Sequence, residues 1–200
     1  MKTMKLKLLG TEIYISFIFT AIIAFLLATD KTGLMLPTLF AVVMHEAGHL
    51  FAMWICDCAP KQVKLIPAGV KITRGITHCY RNDIFISLMG PVTNLVLFFT
   101  LYLNFVVYKN ETTLIFALLN LLIFCFNSLP VSGLDGGIVL SSILSKKFGP
   151  DRAALTVTVI GLILAALLCI AAITLTIRGS TNISLYIMAL YLIITALIKI

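Results

Sequence analysis

The chain has 200 residues, of which 60% are hydrophobic and 12% charged, with a mean hydropathy of +1.10. That is too apolar for an ordinary water-soluble domain and too short for several, so the composition reads as one membrane-embedded domain over residues 1–200. The formal net charge of +7 would suit nucleic acid, but the cations are placed as a topology signal, and no nucleic-acid partner is expected.

Apolar runs long enough for a hydrocarbon core of roughly 30 Å occur about six times. They lie near residues 13–28, 34–55, 84–107, 112–129, 154–177 and 183–198. The expected fold class is therefore an all-α polytopic membrane protein of about six transmembrane helices. Lys2, Lys5 and Lys7 precede the first run. The second connection carries Lys61, Lys64, Lys71, Arg74 and Arg81, and the fourth carries Lys146, Lys147 and Arg152. The first, third and fifth carry only Lys31, Lys109 and Arg178. With Lys199 at the end, this alternation puts both termini in the cytoplasm. A cleaved signal peptide is disfavoured, because the run at 13–28 is long for one and no small-x-small site follows it. Cys56, Cys58, Cys79, Cys125 and Cys169 form an odd set, read as free thiols.

The second run holds His45-Glu46-Ala47-Gly48-His49 between uninterrupted apolar flanks. Ionisable groups are costly to bury in a membrane span, so this cluster reads as a functional site. Residues four apart share a helix face, so His45 and His49 can offer two imidazoles to one metal. Glu46 sits one position round, within reach of a water at that metal. The bland alternative is a pair of helix-packing histidines bridged by the glutamate. Zn2+ is the expected ion, and a catalytic zinc needs a third protein ligand.

After this run, residues 63–74 alternate polar and apolar around Pro67-Ala68-Gly69. The alternation suggests two short strands and a turn, a β-like re-entrant segment at the cytoplasmic face, against the alternative of a solvated basic loop. The third run contains Gly90 and Asn94, whose plainest role is close helix packing and an amide bond across helices. The fourth run breaks at Asn127-Ser128-Leu129-Pro130-Val131-Ser132-Gly133-Leu134-Asp135-Gly136-Gly137 and resumes over 138–144. Broken backbone at membrane depth lines a watery cavity or is buried in protein, which places a cavity near Asp135. Asp135 is the acid expected within a span other than the second, or at its broken end, whereas His78 belongs to a cytoplasmic connection. Asp135 is therefore the favoured third ligand, and a helix-capping aspartate is the alternative. His49 lies roughly 10 Å from the inner end of its run and Asp135 also falls near an inner end, so the site faces the cytoplasmic side. Cys56, Asp57 and Cys58 beside His78 and Cys79 lack zinc-finger spacing.

Taken together, His45-Glu46-Ala47-Gly48-His49, then Gly90-Pro91-Val92-Thr93-Asn94, then Asn127-Ser128-Leu129-Pro130 with Leu134-Asp135-Gly136-Gly137, resemble the site-2 protease family of intramembrane zinc metalloproteases. The six-span layout and short N-terminus look most similar to the sporulation branch that releases a sigma factor. Members of that branch commonly carry a C-terminal CBS domain, which is missing from these residues. The resemblance implies zinc held by His45, His49 and Asp135, with Glu46 as the catalytic glutamate. It implies that Asn127 orients substrate or stabilises the oxyanion, with Gly90, Asn94, Pro130, Gly136 and Gly137 structural around the site. It also implies a membrane-tethered protein substrate such as a pro-sigma factor, an anti-sigma factor or a remnant signal peptide, in a bacterial cell membrane.

The expected function is thus hydrolysis of a peptide bond in or near a transmembrane segment, as in regulated intramembrane proteolysis. The alternatives are a divalent-metal transporter, for which His, Glu and Asp in mid-membrane also suit, and an inactive homologue that binds membrane proteins. The alternating strand at 70–74 is a candidate edge for an extended substrate. Oligomeric state is left open by the sequence.

Overall fold

Period-two alternation of lysine with aliphatic residues opens the chain, and it folds as strands. The structure is a computed structural model describing residues 3–8, 11–58, 60, 62–66, 69–73, 80–180 and 182–197. Strand β1 (Thr3–Leu8) pairs antiparallel with β2 (Thr11–Ser16), placing Lys5 opposite Tyr14 and Lys7 opposite Glu12. At Ser16 the alternation gives way to a continuous apolar run, and helix α1 (Phe17–Thr29) begins. After α2 (Met35–Ile55), strand β3 (Gln62–Ile66) lies parallel to β2, and β4 (Gly69–Thr73) returns antiparallel to β3. Parallel neighbours need a long crossover, which α1 and α2 provide. The sheet order is β1-β2-β3-β4, leaving β1 and β4 as its edges among the described residues.

The expected strands after the second run are present, within a larger sheet. The mostly helical body agrees with the all-α expectation, and a four-stranded sheet is added to it. Ile13 and Ile15, assigned from hydropathy to the first span, belong to β2. The turn at Pro67 and Ala68, along with His78 and Cys79, lies outside the described residues.

The remaining helices are α3 (Tyr80–Tyr108), α4 (Glu111–Asn127), α5 (Asp135–Phe148), α6 (Pro150–Ile177) and α7 (Ile183–Leu197). Among the described residues, three helices, α2, α3 and α6, are long and apolar enough to cross a membrane. The apolar helices α1, α4 and α7 are shorter, at 13, 17 and 15 residues. The outward surfaces of α1, α2, α3, α6 and α7 carry large apolar side chains, including Phe25, Trp54, Leu103, Leu167 and Ile187. Water would penalise that much exposed hydrocarbon, whereas lipid does not.

The chain divides into two compact units, Met1–Cys125 and Phe126–Ile200. In the first, α2 packs on α3 through Ala52, Met53 and Ile86, with Gly48 directly against Thr93 and the backbone of Met89. In the second, Val131, Leu134, Ala165 and Leu192 form the core, with Gly161 drawn onto Val131. Small residues at both contacts let helix backbones approach, the usual means of packing in lipid.

Candidate metal centre

Helix α2 places His45 and His49 one turn apart on the face turned to α3, and both are buried. Each ring is held by its Nδ1. His45 Nδ1 lies 2.6 Å from Asn94 Oδ1, and His49 Nδ1 lies 2.8 Å from the Ile86 carbonyl oxygen. A carbonyl only accepts, so His49 carries its proton on Nδ1. Asn94 spends its Nδ2 donating to the Ala41 carbonyl at 2.9 Å and to Asn120 Oδ1 at 2.8 Å. Its Oδ1 is then the acceptor, and His45 too is protonated on Nδ1; the network assigns these tautomers.

The consequence falls on the opposite nitrogens. His45 Nε2 and His49 Nε2 face each other at 3.1 Å. With both protons on Nδ1, two lone pairs converge there. Two lone pairs directed at each other over that distance repel, and a cation held between them resolves the conflict. Nitrogens at about 2.0–2.1 Å from a tetrahedral ion lie roughly 3.3 Å apart, so the pair fits a divalent metal. Its outer partners, an amide and a backbone carbonyl, are of the kind that orient ligating histidines.

Room for the pair is made by Gly90 on α3. A Cβ there would collide with the His49 ring and come within 2.9 Å of His45 Nε2. Gly90 and Asn94, expected as packing residues, therefore also shape the imidazole pair. Asn120 on α4 is an addition that the sequence reading lacks. It is fully buried, accepts from Asn94 and donates to the Phe116 carbonyl at 2.8 Å. Its only signal in the sequence is an amide in the middle of an apolar run. Glu46, next along α2 from His45, is half-buried.

In the second unit, α4 ends at Asn127, and the chain turns through 128–134 before α5 begins at Asp135. Pro130 sits in that turn, where Leu129 N–H donates to the Phe126 carbonyl and Leu134 N–H to that of Val131. Gly136 and Gly137 press the start of α5 onto this turn. A Cβ at Gly136 would meet the carbonyls of Ser128 and Leu129, and one at Gly137 would meet that of Val131. Asp135 is the first residue of α5, with Leu134 in the cap position. The carboxylate thus stands in the first helical turn, where the helix dipole favours negative charge. Asn127 and Asp135 are both half-buried. A cavity of about 270 Å³ adjoins the same turn, lined by Ser132, Gly137, Ser141, Ser142 and Thr158 among others. The cavity expected from the sequence was one near Asp135, which is not among these lining residues. Cys56 and Cys58 are not joined in a disulfide, and the Cys58 thiol donates to the Cys56 carbonyl.

No protein-family model matches the chain. The sequence is 28% identical over 156 residues to a zinc metalloprotease of Methanocaldococcus jannaschii, covering 72% of this chain and 45% of that relative. The chain thus spans less than half the length of the curated relative it matches. A solved structure, the site-2 protease from Methanocaldococcus jannaschii, matches at a TM-score of 0.69 and 23% identity. The match covers 98% of this chain and 94% of that one and shows a shared fold.

Proposed function

We propose that this chain, a relative of the site-2 proteases in motif, sequence and fold, is an intramembrane zinc metalloprotease that hydrolyses a peptide bond in or near a membrane-spanning segment of a tethered protein. The observation that carries the reading is the buried imidazole pair, with Nε2 atoms 3.1 Å apart and Nδ1 atoms fixed by Asn94 and Ile86. His45 and His49 supply two ligands. Asp135 supplies the third, leaving one position open as catalytic zinc requires. When bound, zinc polarises the scissile carbonyl and brings the pKa of its water to about 7.

Glu46 acts as general base and then general acid, taking a proton from the attacking water and passing it to the leaving amine. Asn127 offers an amide to orient the substrate or to meet the developing oxyanion. A helical substrate shields its own peptide bonds, so the segment to be cut is taken as an extended strand along β4, the sheet edge that follows the zinc helix. The protein works as an integral membrane protein, with both termini and the site on the cytoplasmic side. Its substrate belongs to the class of membrane-held regulators or remnant signal peptides. Neither likeness carries a sporulation role.

The test is cleavage of membrane-tethered reporter peptides by purified protein in detergent, wild type against Glu46→Gln, with zinc measured in both. We expect close to one zinc per chain in each and cleavage by the wild type alone. Absence of cleavage, together with zinc flux into liposomes holding the protein, would replace the protease with a transporter.

A further inference from the structure

Three hydroxyl residues of the second unit are buried without a bond. Ser132, Ser142 and Thr158 are 8%, 7% and 6% exposed, and none of their hydroxyls hydrogen-bonds to another described residue. They come from the turn before α5, from α5 and from α6, and all three line the cavity of about 270 Å³. The other threonines of α6 behave differently. Thr156, Thr174 and Thr176 each donate to a carbonyl three or four residues back, at 2.8–2.9 Å. That bond is the ready resort of a hydroxyl in an apolar helix, and Thr158 forgoes it. A buried hydroxyl on a cavity wall then takes its partner from what the cavity holds.

The wall selects the class of occupant. It carries no ionisable side chain, so a carboxylate or an ammonium would enter without a counter-charge. An aliphatic group would leave the hydroxyls both dry and unbonded. An amide or a hydroxyl donates and accepts, as the wall's own hydroxyls do. The volume admits such a side chain with waters beside it, each taking about 30 Å³. Gly133 and Ala154, also on the wall, are exposed, so the cavity reaches the surface of its unit. Gly137 lines it two positions beyond Asp135, about 3 Å along the axis of α5.

We infer that this cavity is a specificity pocket: it takes one uncharged hydrogen-bonding side chain of the substrate, Ser, Thr, Asn or Gln, from the residues close to the bond that is cut. This rests on the protease reading for the nature of the bound segment and deepens it by naming a residue class that the segment carries. The nearness of Gly137 to Asp135, the proposed third ligand, is what ties the pocket to that bond.

The experiment uses the full-length protein in uncharged detergent. Reporter segments share one aliphatic frame and carry Thr, Val, Asn or Leu at one central position, Val and Leu being the apolar partners of Thr and Asn in shape. Binding is measured on Glu46→Gln protein and cleavage on the wild type. Thr should be preferred to Val, and Asn to Leu, by about threefold to tenfold in both. Thr158→Val should reduce the preference, and Ser142→Ala combined with Thr158→Val should bring it close to one. Hydroxyls without a partner in the protein are removed without breaking a bond, so both variants should fold, and the Val segment should bind them as it binds the parent. Equal affinity for all four segments would overturn the inference, because the cavity would then hold water alone. A preference untouched by both variants would overturn it as well, by tracing the preference to how readily a segment unwinds. Preference in binding that the variants erase, with no segment cut by the wild type, would sustain the pocket and remove the protease reading. Cleavage of all four segments at equal rates would do the reverse.

Discussion

The chemistry of the centre is decided by which nitrogen of each histidine holds a proton, and two residues outside the HExxH motif settle that for His45. Asn94 receives the Nδ1 proton and is itself fixed by donating to Ala41 and Asn120. Removing such an outer partner of a metal ligand commonly costs about 10-fold to 100-fold in metal affinity. Asn94→Ala is therefore expected to weaken zinc binding by about that factor, and Asn120→Ala by less, measured by competition with a chelator. Equal affinity in Asn94→Ala and wild type would show that the tautomer is set some other way. Gly90→Ala is more severe, since its Cβ lands on the His49 ring. It should lose zinc while the helical circular dichroism is kept. The approach of His45 to His49 was legible in the sequence because a fixed spacing on one helix sets it. Asn120 was not, because a lone amide in an apolar run acquires a role only once α3 and α4 are side by side.

At the scale of elements, the same local reading worked for one half of the sheet and missed the other. The strands β3 and β4 stand between helices, so their alternation is visible against a polar background. The residues of β2 abut α1 without a break, and a hydropathy window counts Ile13 and Ile15 with the helix that follows. Strand β1 was legible only as cations, Lys5 and Lys7, which have a topological meaning of their own. The pairing of β2 with β3 joins positions far apart in sequence, and no local pattern announces it. The edge that results makes a separable prediction. Neighbouring residues in a strand point their N–H groups to opposite sides, so one of Val70→Pro and Lys71→Pro removes an outward donor and the other a bond to β3. Loss of one main-chain bond to substrate, at about 0.5–1.5 kcal/mol, lowers cleavage by roughly 2-fold to 10-fold. We expect one of the two variants to show this loss with an unchanged melting temperature. If the variant that melts normally also cleaves normally, substrate does not bind by strand addition at β4.

For the whole molecule, the alternation of cation-rich and cation-poor connections makes a topological prediction that helix length alone leaves ambiguous. By length, α2, α3 and α6 suffice to cross a bilayer, whereas 13 residues of α1 reach about 20 Å of a core of roughly 30 Å. Six crossings and three crossings place the connections differently. With six, the neutral connections at Thr32, Asn110 and Ser180 lie outside, and Cys58 and Lys147 inside. With crossings by α2, α3 and α6 only, Asn110 and Lys147 would share one side, and Cys58 and Ser180 the other. Single cysteines decide between them: Thr32→Cys, Asn110→Cys, Lys147→Cys and Ser180→Cys, each in a chain whose five native cysteines are serine, with Cys58 restored alone as a fifth case. The six-crossing arrangement requires an impermeant maleimide to label residues 32, 110 and 180 in intact cells, and 58 and 147 only after permeabilisation. Labelling of 110 and 147 from one side would reduce the crossings to the long helices. It would also remove the argument from cation alternation that His45 and His49 face the cytoplasm, because that argument needs α1 to cross before α2.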